Sequence, residues 1–401
     1  MTATALPSSG ASRTVFAVLF AIAGCHLIND TMQAIVMSSY PLLRENYALT
    51  FTQVGLLTFA FQMTGSLLQP FIGSYTDRRP LPAILPLAPA FTLLGFILLA
   101  LAPNYALLLT AAVSIGIGSA MFHPDASRVS RLAAGGRYGV AQSIFQVGGN
   151  VGTSLGPLCA AFFILPHGQH IFLWFALLAI ASITILALVA KWFTNHLAET
   201  AAKPKPVKSS AVNNRIVVLS LAILVALMLS KFVYMASLHS FYPFYLMDKF
   251  GMEASRAQTC LFVLLGAVAV GTFAGGPIGD RIGRKTVIWF SILGTLPFSL
   301  ALPYANEFWT VALTIPIGLI LSSAFPAMVV YGQELLPGRV GTISGLFFGL
   351  AFGLGGIGAA ALGALADATS LHFVFVATSF LPALGLLAFF LPGRDQLQGK
   401  V

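Results

Sequence analysis

The stretch "GPIGDRIGRK", Gly276–Lys285, sets four charges in a glycine frame at the end of an apolar run, and a shorter version, "GSYTDRRP", Gly73–Pro80, stands earlier in the chain. The two lie 203 residues apart, because Gly73 matches Gly276 and Asp77-Arg78 matches Asp280-Arg281. Outward from this pair the correspondence persists at 202 to 203 residues. Tyr40-Pro41 returns as Tyr242-Pro243, Phe122 and Pro124 as Ala324 and Pro326, Gly136-Arg137 as Gly338-Arg339, and Gly139 as Gly341. The chain therefore reads as two copies of one unit. Between them "TNHLAETAAKPKPVKSSAVNN", Thr194–Asn214, is the one long polar stretch, and its Lys, Pro and Ser content reads as a flexible linker. The expected division is residues 1–194, a linker at 195–214, and residues 215–401.

Hydropathy says what each unit is. Of the 401 residues, 57% are hydrophobic and 8% charged, against roughly 25% charged in soluble domains. Apolar spans of the length a bilayer needs, about 20 residues, recur twelve times. They cover 15–40, 52–72, 81–101, 105–131, 138–165 and 171–193, then 216–246, 257–278, 287–302, 308–335, 342–366 and 372–391. The expected fold is all-α and integral to the membrane: twelve transmembrane helices in two pseudo-symmetric six-helix bundles around a central cavity. Repeated units of this kind suit a site near the bilayer midplane that is reached alternately from each side. The first span carries His26 and Asp30 and lacks a small-residue cleavage site, so it reads as a retained helix.

The formal charge of +9 reads as topology. With both termini cytoplasmic, the basic residues 13, 78, 79, 131, 137, 191, 203, 205, 208, 215, 281, 284, 285, 339, 394 and 400 all fall on cytoplasmic segments, as the positive-inside rule requires. Arg44, Lys249 and Arg256 fall outside, and Arg128 and Lys231 lie within spans. No nucleic-acid partner is needed to explain the excess. Cys25, Cys159 and Cys260 lie within spans and read as small packing residues.

With these motifs in view, the chain resembles the major facilitator superfamily. The loop signature G-x-x-x-D-R-x-G-R-[KR] of that family is intact at Gly276, Asp280, Arg281, Arg284 and Lys285, and partial at Gly73, Asp77 and Arg78, where Pro80 stands in place of the later glycine. Both copies read as conformational latches, the first a looser one. Helix 5 carries "GGNVGTSLGP", in which Gly148, Gly152, Gly156 and Pro157 resemble the antiporter signature, with Ser143 in place of its first glycine and Ala160-Ala161 in place of its last pair. Glycines four apart also allow close helix packing without any such role. "HLINDTMQ", "LTFTQVGLLTFAFQMTGSLLQP", "YTDRRP" and "GSAMFHPDASRVSRLAAGGRYGVAQSIFQVGGNVGTSLGP" look like the fosmidomycin resistance exporters. That resemblance implies proton-driven efflux of a phosphonate antibiotic.

Charges within spans usually face a wet cavity and have a function. His26 and Asp30 are four apart and share a helix face. Burial favours the neutral form of a carboxyl and a nearby cation its charged form, so such a pair can take and release a proton; a permanent bridge to His26 or Lys231 is the plainer reading. Lys231 matches Asn29 at the 202 offset, and Tyr234, His239 and Tyr242 follow it on roughly one side, a set suited to an anionic, oxygen-rich substrate. In "FHPDASR", Phe122–Arg128, the residues His123, Asp125 and Arg128 are expected to form a second polar layer below the central site, with Arg128 meeting an anion and Asp125 or His123 exchanging a proton. The alternative is an interfacial network from which Arg128 snorkels to water. Helix 5 adds Gln142, Gln146 and Asn150, which can touch substrate or join helices.

The sequence holds no H-E-x-x-H, no G-x-x-x-x-G-K-[ST] and no loop long enough for a catalytic domain, so an enzyme or an ATP-driven pump is not expected. No cofactor or metal is expected either. The partners expected are a small-molecule substrate, protons and the lipid bilayer, with the chain acting as a monomer in a bacterial-type inner membrane. The expectation is a proton-coupled exporter of small anionic antibiotics. An uptake carrier for an organic anion and a lipid translocator are the other readings.

Overall fold

The computed structural model of the chain describes residues 14–49, 51–201, 214–252 and 254–393, and all of its regular structure among them is helical. Twelve long helical segments follow in order. In the first half they are α1 (Phe16–Ser38), α2 (Phe51–Arg78), α3 (Ile84–Leu101), α4 (Tyr105–Ala133), α5 (Tyr138–Cys159) and α6 (Phe172–Ala201). In the second they are α7 (Asn214–Phe250), α8 (Ala254–Ile282), α9 (Arg284–Tyr304), α10 (Glu307–Leu335), α11 (Val340–Ala368) and α12 (Leu371–Phe390). Ten are long and apolar enough to cross a membrane. The other two, α2 and α5, interleave Gln, Asn, Ser and Thr with glycine and apolar residues, because both line the centre of the molecule.

The helices run further than hydropathy indicates. Thus α2 continues to Arg78 and α6 to Ala201, the latter well into the stretch read as linker. Residues 202–213 of that stretch lie outside the described residues, as do Arg13, Arg394 and Lys400. Asn104 and Asn306 occupy matching positions and cap α4 and α10 by accepting from Leu107 N at 3.1 Å and Trp309 N at 3.0 Å. Each satisfies a backbone donor that a helix start leaves free. The two prolines of the repeat behave differently. Helix α10 breaks at Ser323, before Pro326, whereas α4 runs unbroken through Pro124.

Packing follows the repeat. Helix α1 lies along α5 as α7 lies along α11, and α2 packs on α4 as α8 packs on α10. Across the two halves, α2 meets α11 and α5 meets α8. Glycine makes the α1–α5 contact possible: a Cβ on Gly148 would come within 2.1 Å of Ala23 O, one on Gly152 within 2.3 Å of Leu27 O, and one on Gly156 within 2.2 Å of the Ala34 side chain. These glycines are a helix-packing stripe along α5. The large outward side chains, Phe20, Phe71, Phe162, Trp174, Phe262 and Phe390 among them, are exposed and form the apolar belt of a membrane protein.

Candidate transport site

A cavity of about 460 Å³ lies between the halves. His26 and Asp30 of α1, Gln146 and Asn150 of α5, Lys231 and His239 of α7, and Phe348 and Phe352 of α11 line it. Thr153, His239 and Ser240, toward the end away from the charged loops, are exposed, so the cavity is open there.

Its polar centre is on the first half. His26 Nε2 lies 3.2 Å from Asp30 Oδ2, and His123 Nε2 from α4 lies 3.6 Å from Asp30 Oδ1. Asn29 donates to Oδ1 at 2.9 Å. The rings are fixed from behind: His26 Nδ1 lies 2.7 Å from Phe145 O and His123 Nδ1 2.9 Å from Ser119 O. His26 also stacks on Phe145 and His123 on Phe348. All three polar residues are buried. Their ligand atoms lie within 4.8 Å of one another, a spacing that could also hold a metal ion. The Asn29 donor directed at Oδ1 suits a carboxylate that receives hydrogens rather than one that gives both oxygens to a cation.

Gly149 sits against this centre. A Cβ there would lie 2.5 Å from His26 Nε2 and 2.7 Å from Asp30 Oδ2. Sequence reading singled out its neighbour Gly148 and passed over Gly149. We expect Gly149→Ala to push the His26–Asp30 pair apart and lower transport about tenfold or more, in line with a misplacement of about an ångström in a preorganised site. Uptake assays at matched protein level check this, and unchanged transport would remove the requirement for close approach.

The expected residues fall into three groups. Lys231 is buried on the cavity wall, its Nζ 5.0 and 5.2 Å from the ring centres of Phe232 and Phe325, and among the described residues no carboxylate lies within ion-pair distance of it. His239, two turns on, shares its face. Tyr234 and Tyr242 do not. They are buried in the core of the second half and are not among the residues that line the cavity. Gln146 and Asn150 line the cavity, with Asn150 donating to Thr272 of α8 at 3.0 Å. Gln142 does not reach it, and accepts instead from Ser127 Oγ at 3.1 Å.

The stretch "FHPDASR" is divided rather than forming one layer. His123 joins the cavity cluster, while Asp125 and Arg128 turn away from it, since residues two apart on a helix lie on nearly opposite faces. Arg128 pairs with Asp125 and, at 2.6 Å, with Asp77 at the end of α2. It therefore contacts no ligand in this conformation, and it does not snorkel to water, being buried. Asp77 also accepts from Gly341 N at 2.8 Å, Thr342 N at 2.7 Å and Thr342 Oγ1 at 2.6 Å, at the start of α11. The matching Asp280 accepts from Gly139 N and Val140 N at 2.9 Å, at the start of α5, and pairs with Arg284 at 2.7 Å.

The first latch is accordingly no looser than the second: Arg128, from α4, occupies the role that Arg284 fills in the intact motif. The glycines allow these joints to close. A Cβ on Gly73 would lie 2.0 Å from Gly341 O, and one on Gly276 2.2 Å from Gly139 O. Arg78 and Arg281 are exposed beside the latches. Between latches and cavity, Gln333 of α10 donates to Ser127 at 3.2 Å and Ser344 at 2.9 Å and accepts from Arg131 at 3.1 Å. The charged-loop face is thus closed by the two latches and by this Gln333 network.

Two membrane-embedded helical halves around a one-sided cavity with buried charges define a transporter, not an enzyme. The chain belongs to the major facilitator superfamily, whose model matches residues 22–360. It is 52% identical over 388 residues to the "Fosmidomycin resistance protein" of Escherichia coli (strain K12), covering 97% of this chain and 96% of that one. It is 43% identical to the MFS-type transporter YfnC of Bacillus subtilis (strain 168), covering 96% and 95%. Among solved structures it is similar to the transporter FucP in the outward conformation, with TM-score 0.73, 17% identity, and coverage of 94% of this chain and 98% of that one.

Proposed function

We propose that the chain is a proton-coupled exporter of small anionic antibiotics, phosphonates such as fosmidomycin foremost, working by alternating access in a bacterial inner membrane. One observation carries the reading. A single cavity joins a buried carboxylate faced by two imidazoles on one half to a buried lysine that has no carboxylate partner among the described residues on the other. The first is a proton carrier and the second an anion contact. The name of the Escherichia coli relative supports the substrate class and the outward direction.

The positive-inside rule supports a cytoplasmic latch face, and on that reading the described state is outward-open. Residues 1–194 and 215–401 act as the two rocking bodies, joined by the 195–214 linker, and the Asp77 and Asp280 latches are the parts that must part. Each chain encloses its own cavity, so a monomer suffices. A ligand that seats its anionic end on Lys231 and turns a hydrogen-bond donor to Asp30 competes with protons for the same oxygens. That competition makes binding of one disfavour the other, as exchange requires.

A second reading, uptake of an organic anion together with protons, is favoured by the charge of the cavity, since protonating the cluster beside Lys231 strengthens its attraction for an anion. The sign of proton movement separates the two. In proteoliposomes with a trapped pH dye and no preset gradient, external fosmidomycin should make the lumen alkaline as protons leave in exchange; acidification would establish symport, and no change would end proton coupling. Lys231→Ala should weaken the response about 10- to 100-fold, the worth of a charged hydrogen bond. Unaltered affinity in that variant would remove Lys231 from the site.

A further inference from the structure

We infer that the His26–Asp30–His123 cluster carries two exchangeable protons per cycle, one in each gap between imidazole and carboxylate. This rests on the proton-coupled reading and adds its stoichiometry.

The count comes from the hydrogen bonds behind the rings. A backbone carbonyl only accepts, so His26 Nδ1, 2.7 Å from Phe145 O, and His123 Nδ1, 2.9 Å from Ser119 O, each carry a hydrogen. In the neutral ring the other nitrogen is then a bare acceptor. Both bare nitrogens face the same carboxylate, Nε2 of His26 at 3.2 Å from Oδ2 and Nε2 of His123 at 3.6 Å from Oδ1. Lone pair opposes lone pair across each gap until a proton fills it, and no rotation relieves this, because the Nδ1 bonds and the stacking on Phe145 and Phe348 hold both rings. His123 Nε2 is buried and has no hydrogen-bond partner among the described residues, as an unfilled gap would leave it.

The empty cluster carries one negative charge and the filled cluster one positive charge. Each proton enters from the open face, occupies an N–H···O bridge, and leaves once the latches have parted. Among the described residues the surrounding elements add no competing acid. Helix α1 contributes Asn29 and Gln33, α2 Gln62, α5 Gln146 and Gly149, and α11 Phe348 and Phe352. The other titratable groups of the cavity are Lys231 and His239 on α7. Asp125 is turned away into the Arg128 pair.

The test is a null-flux measurement in proteoliposomes. The membrane potential is clamped, a proton gradient is imposed, and the fosmidomycin gradient at which net flux stops gives the number of protons per ligand, after subtracting the titration of the ligand between the two bulk pH values. Two protons in wild type and one in His123→Gln support the proposal. A wild-type ratio of one overturns it while leaving proton exchange intact, and so does a ratio of two in His123→Gln. If the ligand distribution in wild type ignores the proton gradient altogether, the proton-coupled reading itself has failed. Should His123→Gln not fold, the wild-type ratio alone decides.

Discussion

Asp30→Asn is expected to abolish uphill transport while leaving the fold and passive substrate exchange in place. Asparagine matches aspartate in shape and keeps one acceptor oxygen, so the helix packing around Gly148 and Gly152 has no reason to change. What disappears is the charge that makes a proton worth binding. With a neutral amide between them, His26 and His123 no longer face a carboxylate across either gap.

The size of the effect follows from linkage. A proton moving down one pH unit supplies about 1.36 kcal/mol, a factor of ten in the gradient it sustains. At two units, one coupled proton holds about a 100-fold ligand ratio and two hold about 10⁴-fold, whereas an uncoupled carrier relaxes to a ratio of one. The measurement is the steady-state fosmidomycin ratio across proteoliposomes at fixed pH difference, with counterflow of labelled ligand as the control for folding. A gradient sustained by Asp30→Asn would assign the proton to another group, His239 being the next titratable residue on the wall.

Why some of this was legible beforehand, and some not, is a matter of which periodicities the chain exposes. Helix count and the repeat were readable because hydropathy and the spacing of Gly73, Asp77, Gly276 and Asp280 are properties along the chain. His26 and Asp30 were paired for the same reason, being one helical turn apart. The partnership of His123 with Asp30 depends on how α4 docks against α1, and no local pattern records that. Grouping His123 with Asp125 failed on angle, since two residues along a helix is about 200° of rotation. Tyr234 and Tyr242 share a helix with Lys231, and their burial in the core of the second half depends on how the neighbouring helices pack there. Arg128 illustrates a different limit. The first latch lacks the later arginine of the motif, and its replacement comes from another helix, invisible to any reading of the loop alone.

That substitution sets up the second large effect. Asp77→Asn should shift the protein from outward-open toward inward-open. Asp77 joins α2 to the start of α11 through two backbone donors and the Thr342 hydroxyl, and neutralises Arg128 from below. The α11 bonds exist only while the cytoplasmic face is closed. The Arg128 pair lies within the first half and is kept in both states, so what the closed state loses is the charged bonding to α11, about 1.5–3 kcal/mol, which changes the balance of the two states by roughly 10- to 100-fold. Spin labels at Arg79→Cys and Arg339→Cys, both exposed and on opposite sides of the joint, read the shift as a longer distance between α2 and α11. Gly73→Ala provides an independent route to the same state, because its Cβ would occupy the position of Gly341 O and force the helices apart without touching a charge. Concordant widening in both variants means that closure of this joint, rather than the ion pair alone, holds the cavity open to the outside. Widening in Gly73→Ala but not in Asp77→Asn would reduce Asp77 to a helix cap and leave the glycine contact as the latch.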